Sequence, residues 1–121
     1  MSGDASYYDI MSAAVPVARR DEYVAHAREA AVLFREHGAL SVVETWGDDV
    51  PGGKLTSFPL AVKQGEGEAV VVSWIAWPSK AVRDAAWAKM MDDPRMDPVA
   101  NPMPFDGKRL IHGGFAALDM S

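Results

Sequence analysis

The order of elements along this chain, β-α-β-β-α-β, predicts an α+β fold with a four-stranded antiparallel sheet and two helices. Three observations predict it. The stretch EAVVVSWIAWPSKAVRDAAWAKMMDDPR from Glu68 to Arg95 passes from a strand pattern to a helix pattern with no linker. The same strand-then-helix order opens the chain, with SYYDIMSAAVPV followed by DEYVAHAREAAVLF. LSVVETW and KRLIHGGFAAL supply two further short runs with strand character.

The first strand spans Ser6 to Val17, with Pro16 ending it or lying at an edge. Asp21 and Glu22 suit a helix N-terminus, and Tyr23, Ala27, Ala30, Ala31 and Phe34 recur at spacings of three and four up to Gly38. Leu40 to Trp46 is the second strand. The stretch 47–67 holds glycines, prolines and acidic residues and predicts a long loop with little regular structure. In the third strand Val70, Val71, Val72 and Ile75 are apolar and β-branched, and Trp74 and Trp77, three apart, must point to opposite faces. Pro78 stops that strand and Ser79 caps a helix running to about Asp92. The proline-rich MDPVANPMPFDG is an extended connection, ordered by packing of Met103 and Phe105. Lys108 to Leu118 is the last strand, with Gly113-Gly114 marking a bulge or a close backbone approach. This is the ferredoxin-like split motif. Because each strand face carries an indole while the helices form one layer, the other face needs a second cover, and a homodimer is expected.

At 121 residues the chain reads as a single domain, 1–121, with residues 1–5 a flexible leader. It contains no cysteine, which removes disulfides, thiolate metal sites and cysteine nucleophiles together. No basic-then-apolar leader and no run near the ~18 apolar residues of a membrane span is present, so a cytoplasmic protein without a membrane partner is expected. The net charge of −5 and the scattered Lys and Arg argue against nucleic acid as a partner.

Strand alternation suggests where polar side chains gather. Tyr7, Asp9 and Met11 share a face of the first strand, Val42, Glu44 and Trp46 of the second, Val72, Trp74 and Ala76 of the third, and Leu110, His112 and Gly114 of the fourth. The opposite set, with Tyr8, Ile10, Val43, Val71, Ile75, Ile111 and Phe115, is greasier and suits the helices; the polar set then faces a cavity shared with a second copy. Two carboxylates and an imidazole inside an aromatic enclosure suit proton transfer, with one carboxyl raised by burial. Each also has a structural explanation: Asp9 or Glu44 pairing with Lys108 or Arg109 at a sheet margin, and His112 as a satisfied wall residue.

Other motifs carry less chemistry. His26 and His37 fit solvated positions on the first helix, His26 four residues after Glu22 and His37 in the last turn. Three histidines without a shared short spacing make no metal site, so none is expected. Met90, Met91, Met96 and Met103 read as soft filling under a loop. GDDVPGGK at 47–54 lacks the strand-loop-helix setting of a phosphate loop, and its acidic pair repels phosphate.

With ETWGDDVP at 44–51, SWIAWPSKAVRDAAWAKMMDDPRM at 73–96 and PFDGKRLIHGGF at 104–115, the chain resembles the domain of unknown function 1428 family, within the dimeric α/β-barrel superfamily. The resemblance covers nearly the whole chain. It implies two ferredoxin-like protomers with their sheets face to face, and no assigned activity. Relatives in that superfamily include cofactor-independent oxygenases, haem binders, isomerases and cyclases. The haem-degrading relatives place their ligand on the second helix, where this chain has no histidine, so no cofactor is expected. The chain departs from the family's pattern in its first strand, at Ala76, where the family has an acidic residue, and at His112, where it has a tyrosine.

The expectation is a small-molecule enzyme that abstracts a proton without a metal, leading to oxygenation, isomerisation or cyclisation of an aromatic or polyketide-like substrate. His112 or Asp9 would be the base and Glu44 its partner; Trp46, Trp74, Tyr7, Met11 and Ala76 would line the substrate site. The alternative is a non-catalytic ligand-binding or stress-related homodimer.

Overall fold

The computed structural model describes residues 4–120. Of the leader expected over residues 1–5, residues 1–3 lie outside the described residues, and Asp4 and Ala5 carry no regular structure. The elements are β1 (Tyr7–Pro16), α1 (Arg20–Glu36), β2 (Ser41–Trp46), α2 (Phe58–Ala61), β3 (Glu68–Trp77), α3 (Lys80–Met90) and β4 (Ile111–Ala116). The sheet runs β2-β3-β1-β4, and each neighbouring pair is antiparallel. With α1 and α3 this is the expected ferredoxin-like α+β fold.

Local signals account for the boundaries. Ser79 stands just outside α3 in extended conformation, and its hydroxyl accepts the Val82 N–H at 3.1 Å, so the cap expected from Pro78-Ser79 forms. A single 3₁₀ turn over Val17–Arg19 precedes α1, whose first turn carries Asp21 and Glu22 against the positive end of the helix dipole. Gly38 takes φ 105° just past the end of α1, a left-handed conformation that side-chain-bearing residues rarely adopt. The β4 strand is shorter than expected because Gly107–Arg109 forms a 3₁₀ turn held by the Asp106 carboxylate. The stretch 47–67 is less irregular than the sequence suggests: it carries α2, capped by Ser57.

Burial divides the sheet. Under α1, Ala13, Val15, Tyr23, Ala27 and Val71 form one cluster; toward α3, Leu33, Ile75, Trp77, Ala86 and Met90 form another. Trp77 is fully enclosed and is the largest such side chain. Phe34 bridges the helices, 6.4 Å from Trp77 and 5.5 Å from Trp87 by ring centroids, both near T-shaped. A third cluster joins Ala14, Val62 and Val70. Ala14 and Val70 point away from the helices, so the 47–67 connection folds back beneath one end of the other sheet face.

The pairing register corrects the facing expected from alternation. Asp9 stands opposite Ile75 and Glu44 opposite Ser73, so β3 contributes Val71, Ser73, Ile75 and Trp77 to their face. Alternation fixes which residues of one strand go together but not the phase between strands. Trp74 and Ala76 therefore lie on the opposite face from Asp9, Glu44 and His112, alongside Tyr8, Ile10 and Val43. The polar set faces this protomer's own helices, because α1 and α3 carry the donors that satisfy it. Of the greasier set, Tyr8, Ile10, Val43, Ile111 and Phe115 lie on the face the helices leave open, whereas Val71 and Ile75 lie under the helices.

The two glycines of β4 make no bulge, since pairing with β1 runs without interruption from Tyr7–Ala116 to Ser12–Ile111. Gly114 is instead a close approach: a Cβ there would collide with the hydroxyl and ring of Tyr7.

Candidate functional site

Between the helix face of the sheet, α1, α3 and the proline-rich segment lies a groove of about 1100 Å³. It exists because two helices cannot roof four strands. The remaining width, toward β4, is spanned by residues 94–106, which carry four prolines and run largely without regular structure. Phe105 anchors that segment against Tyr23, with centroids 5.9 Å apart, and Arg95 ties its start to α1 through Glu36 at 2.8 Å. The packing role expected of Met103 and Phe105 is thus shared with an ion pair that sequence patterning did not indicate.

Asp9, Met11, Glu44 and His112, all expected site residues, line this groove together. Tyr7 and Trp46 lie on the same sheet face but outside the lining, Tyr7 beneath Arg83 and Trp46 beside Tyr23 and Arg20. Trp74 and Ala76 are separated from the groove by the thickness of the sheet.

Asp9 sits at the α3 end and is 15% exposed by side chain. Its Oδ2 accepts the indole N–H groups of Trp77 and Trp87, each at 2.9 Å, and Arg83 donates to both oxygens, the shortest contact being 2.8 Å. Burial by itself lifts its pKa, but the hydrogen bonds from Arg83, Trp87 and Trp77, with the Arg83 charge, outweigh it and hold the carboxyl below its ordinary value. An ionised carboxylate so fully used is a poor proton acceptor. Its chemistry goes into docking α3 on the sheet.

Glu44 is the opposite case. Tyr23, on α1, donates its hydroxyl to Glu44 Oε1 at 2.5 Å. Glu44 is exposed as a whole residue, but its carboxyl end is partly enclosed beside Tyr23; that local desolvation raises the carboxyl, and this one hydrogen bond only partly counters it. The Tyr23 hydroxyl is itself pushed up, by burial first and then by Glu44, so it stays a donor throughout the ordinary pH range. The sequence marks Tyr23 only as part of an apolar stripe, with no sign of this partner. His26, one turn further along α1, also lines the groove, and burial lowers its pKa so that the neutral imidazole is favoured near neutrality. This corrects the expectation of a solvated His26: position 26 shares a helix face with 23, 27 and 30, a spacing that could have placed it inward. His112 lies across the groove on β4, largely open to solvent.

The groove walls are aromatic and thioether-rich, with Phe34, Trp87, Phe105, Met11, Met96 and Met103. Apolar walls with a few convergent polar groups are the composition common to small-molecule pockets. Among the described residues no helix is long and apolar enough to cross a membrane, and no three His, Asp or Glu side chains are placed to hold a metal ion.

A family model described as "Protein of unknown function (DUF1428)" matches residues 6–107. The chain is 55% identical over 112 residues to the "Uncharacterized protein YbaA" of Escherichia coli K12, covering 93% of this chain and 96% of that protein. The YbaA proteins of Escherichia coli O157:H7 and Shigella flexneri match to the same extent. On that match and those identities, this chain belongs to the DUF1428 family.

Proposed function

We propose that this protein is a small-molecule enzyme that abstracts a proton, without a metal, from an aromatic or polyketide-like substrate held in the groove. The observation that supports the reading is the Glu44–Tyr23 pair: a carboxylate on the groove wall, raised by partial desolvation at its carboxyl end and oriented by a hydroxyl that does not ionise. Within this reading the base is Glu44 rather than Asp9, because both Asp9 oxygens are already engaged. A C–H proton passes to Glu44, and the electron pair moves onto the adjoining carbonyl to give an enolate. Return of the proton at another carbon is isomerisation; attack on a second carbonyl in the same molecule is cyclisation; reaction with dioxygen is oxygenation. In this reading Trp87, Phe34 and Phe105 hold the ring, and His112 and His26, which also line the groove, exchange the proton with solvent.

The test is proton exchange in heavy water with an enolisable bicyclic ketone such as tetralone, followed by loss of the α-proton NMR signal. The wild type should accelerate exchange and Glu44→Gln should not. Equal rates with and without protein across a panel of such ketones would remove the enzymatic reading. A binding-only role is the second reading, favoured by the use of Asp9, the most heavily bonded carboxylate in the groove, for packing alone. A ligand recovered unchanged from the groove, with no exchange catalysed, would select it.

The reading includes a cytoplasmic homodimer formed through the open sheet face. Phe115 is 53% and Ile111 45% exposed there, beside the half-buried Ile10, Val43 and Trp74. Such a strip is costly in water. Sedimentation should give a dimer at micromolar concentration, converted to monomer by Ile10→Asp; a wild-type monomer across that range contradicts the assembly.

A further inference from the structure

The guanidinium groups of Arg95, in the groove lining, and Arg83, beside it, are both committed. Arg83 meets Asp9 at 2.8 Å and Asp84 at 3.0 Å, and Arg95 meets Glu36 and Asp93, each at 2.8 Å. Each therefore faces two carboxylates with one positive charge. Among the described residues lining the groove, Arg95 is the one Lys or Arg, whereas Asp9, Glu29 and Glu44 all contribute carboxylates. Glu44 has a hydroxyl as its partner and no cation. Arg20 lies over the Trp46 ring at 5.4 Å, outside the lining.

We propose that the groove selects ring compounds carrying no negative charge, and that Glu44 is the residue that enforces this selection. The inference rests on the groove being a small-molecule pocket. An anionic ligand would bring a second negative charge against a carboxylate that no cation neutralises, with no unspent guanidinium in the lining to receive it, and juxtaposed like charges of this kind strongly disfavour binding. An uncharged ring stacks against Trp87, Phe34 and Phe105 at no such cost and offers a hydroxyl or carbonyl to the Glu44–Tyr23 pair. Substrates activated as carboxylates, phosphates or coenzyme thioesters bearing phosphates are the class excluded.

Isothermal titration calorimetry with naphthol, uncharged at neutral pH, and naphthoate, an anion on the same ring, tests this. The wild type should bind naphthol at least about tenfold more tightly than naphthoate, and Glu44→Gln should close most of that gap by improving naphthoate. Glu44→Ala gives the same comparison should the glutamine variant not fold. Naphthoate binding as tightly as naphthol to the wild type overturns the selection while leaving the pocket standing. A gap unchanged in both Glu44 variants overturns the assignment to Glu44. No binding of either compound removes the pocket itself, and this inference with it.

Discussion

Trp77 and Trp87 donate their indole N–H groups to one oxygen, Asp9 Oδ2, each over 2.9 Å. Trp77 ends β3 and Trp87 is two turns into α3, so a single carboxylate on β1 fixes the angle at which the chain turns from strand to helix. Arg83 closes the arrangement from the same helix.

Asp9→Ala should therefore cost on the order of 3 kcal/mol, because it leaves a guanidinium and two indole donors without their acceptor. Urea unfolding measures it. Trp87→Phe should cost less, since Asp9 keeps Trp77 and Arg83; a loss from Asp9→Ala below ~1 kcal/mol would show the cluster to be decorative.

The acid limb of stability follows from the same carboxylates. The folded pKa of Asp9 lies below its ordinary value of 3.8, and that of Glu68, bonded by Arg109 and the Gly65 N–H, falls to about 2 from 4.5. Groups lowered on folding contribute stability above their ordinary values and lose it as pH falls through the folded ones. Unfolding midpoints in urea should drop steeply below about pH 4, and less steeply in Asp9→Asn with Glu68→Gln.

Glu44 has the reverse sign. Its folded pKa lies above 4.5, so its contribution is present below that value and is lost as pH rises through the folded one. Glu44→Gln should accordingly be at least as stable as the wild type near neutrality, measured by the same urea titration.

Removing the Tyr23 hydroxyl should move Glu44 further. That hydroxyl hydrogen-bonds the charged carboxylate, so Tyr23→Phe raises the Glu44 pKa and shifts the basic requirement for proton exchange to higher pH. Carboxyl-carbon NMR titration reads the shift directly; an unchanged midpoint would mean that the pair does not act as one unit.

The proline-rich segment should depend on Arg95. Its guanidinium holds Glu36 on α1 and Asp93 before the first turn of the segment. Arg95→Gln should speed proteolytic cutting within residues 97–105 several-fold while leaving the midpoint of global unfolding near that of the wild type, because exposed pairs contribute little to overall stability.

Element order and type were legible because each depends on local chemistry: the Pro78-Ser79 corner, the helix stop at Gly38, and the alternation of β1. The facing was not, because it depends on long-range register. Asp9 meets Ile75 across sixty-odd residues of sequence, and nothing in either strand alone states that phase. The polarity argument then pointed the wrong way, since Asp9 and Glu44 looked too polar to lie under helices. Their partners Arg83, Trp87 and Tyr23 lie on helices, where the sequence pattern gives no sign of which carboxylate each meets. The grouping of Asp9, Met11, Glu44 and His112 survived because they come from strands whose phases were assigned consistently.

The contact of Gly114 with Tyr7 ties together two positions more than a hundred residues apart in the chain. The space denied to a methyl group on β4 is the space occupied by a phenol from β1, so neither site is free to drift by itself. Among descendants of this sequence a larger residue at 114 should survive only where 7 has shrunk, and the two columns of a family alignment should change in step.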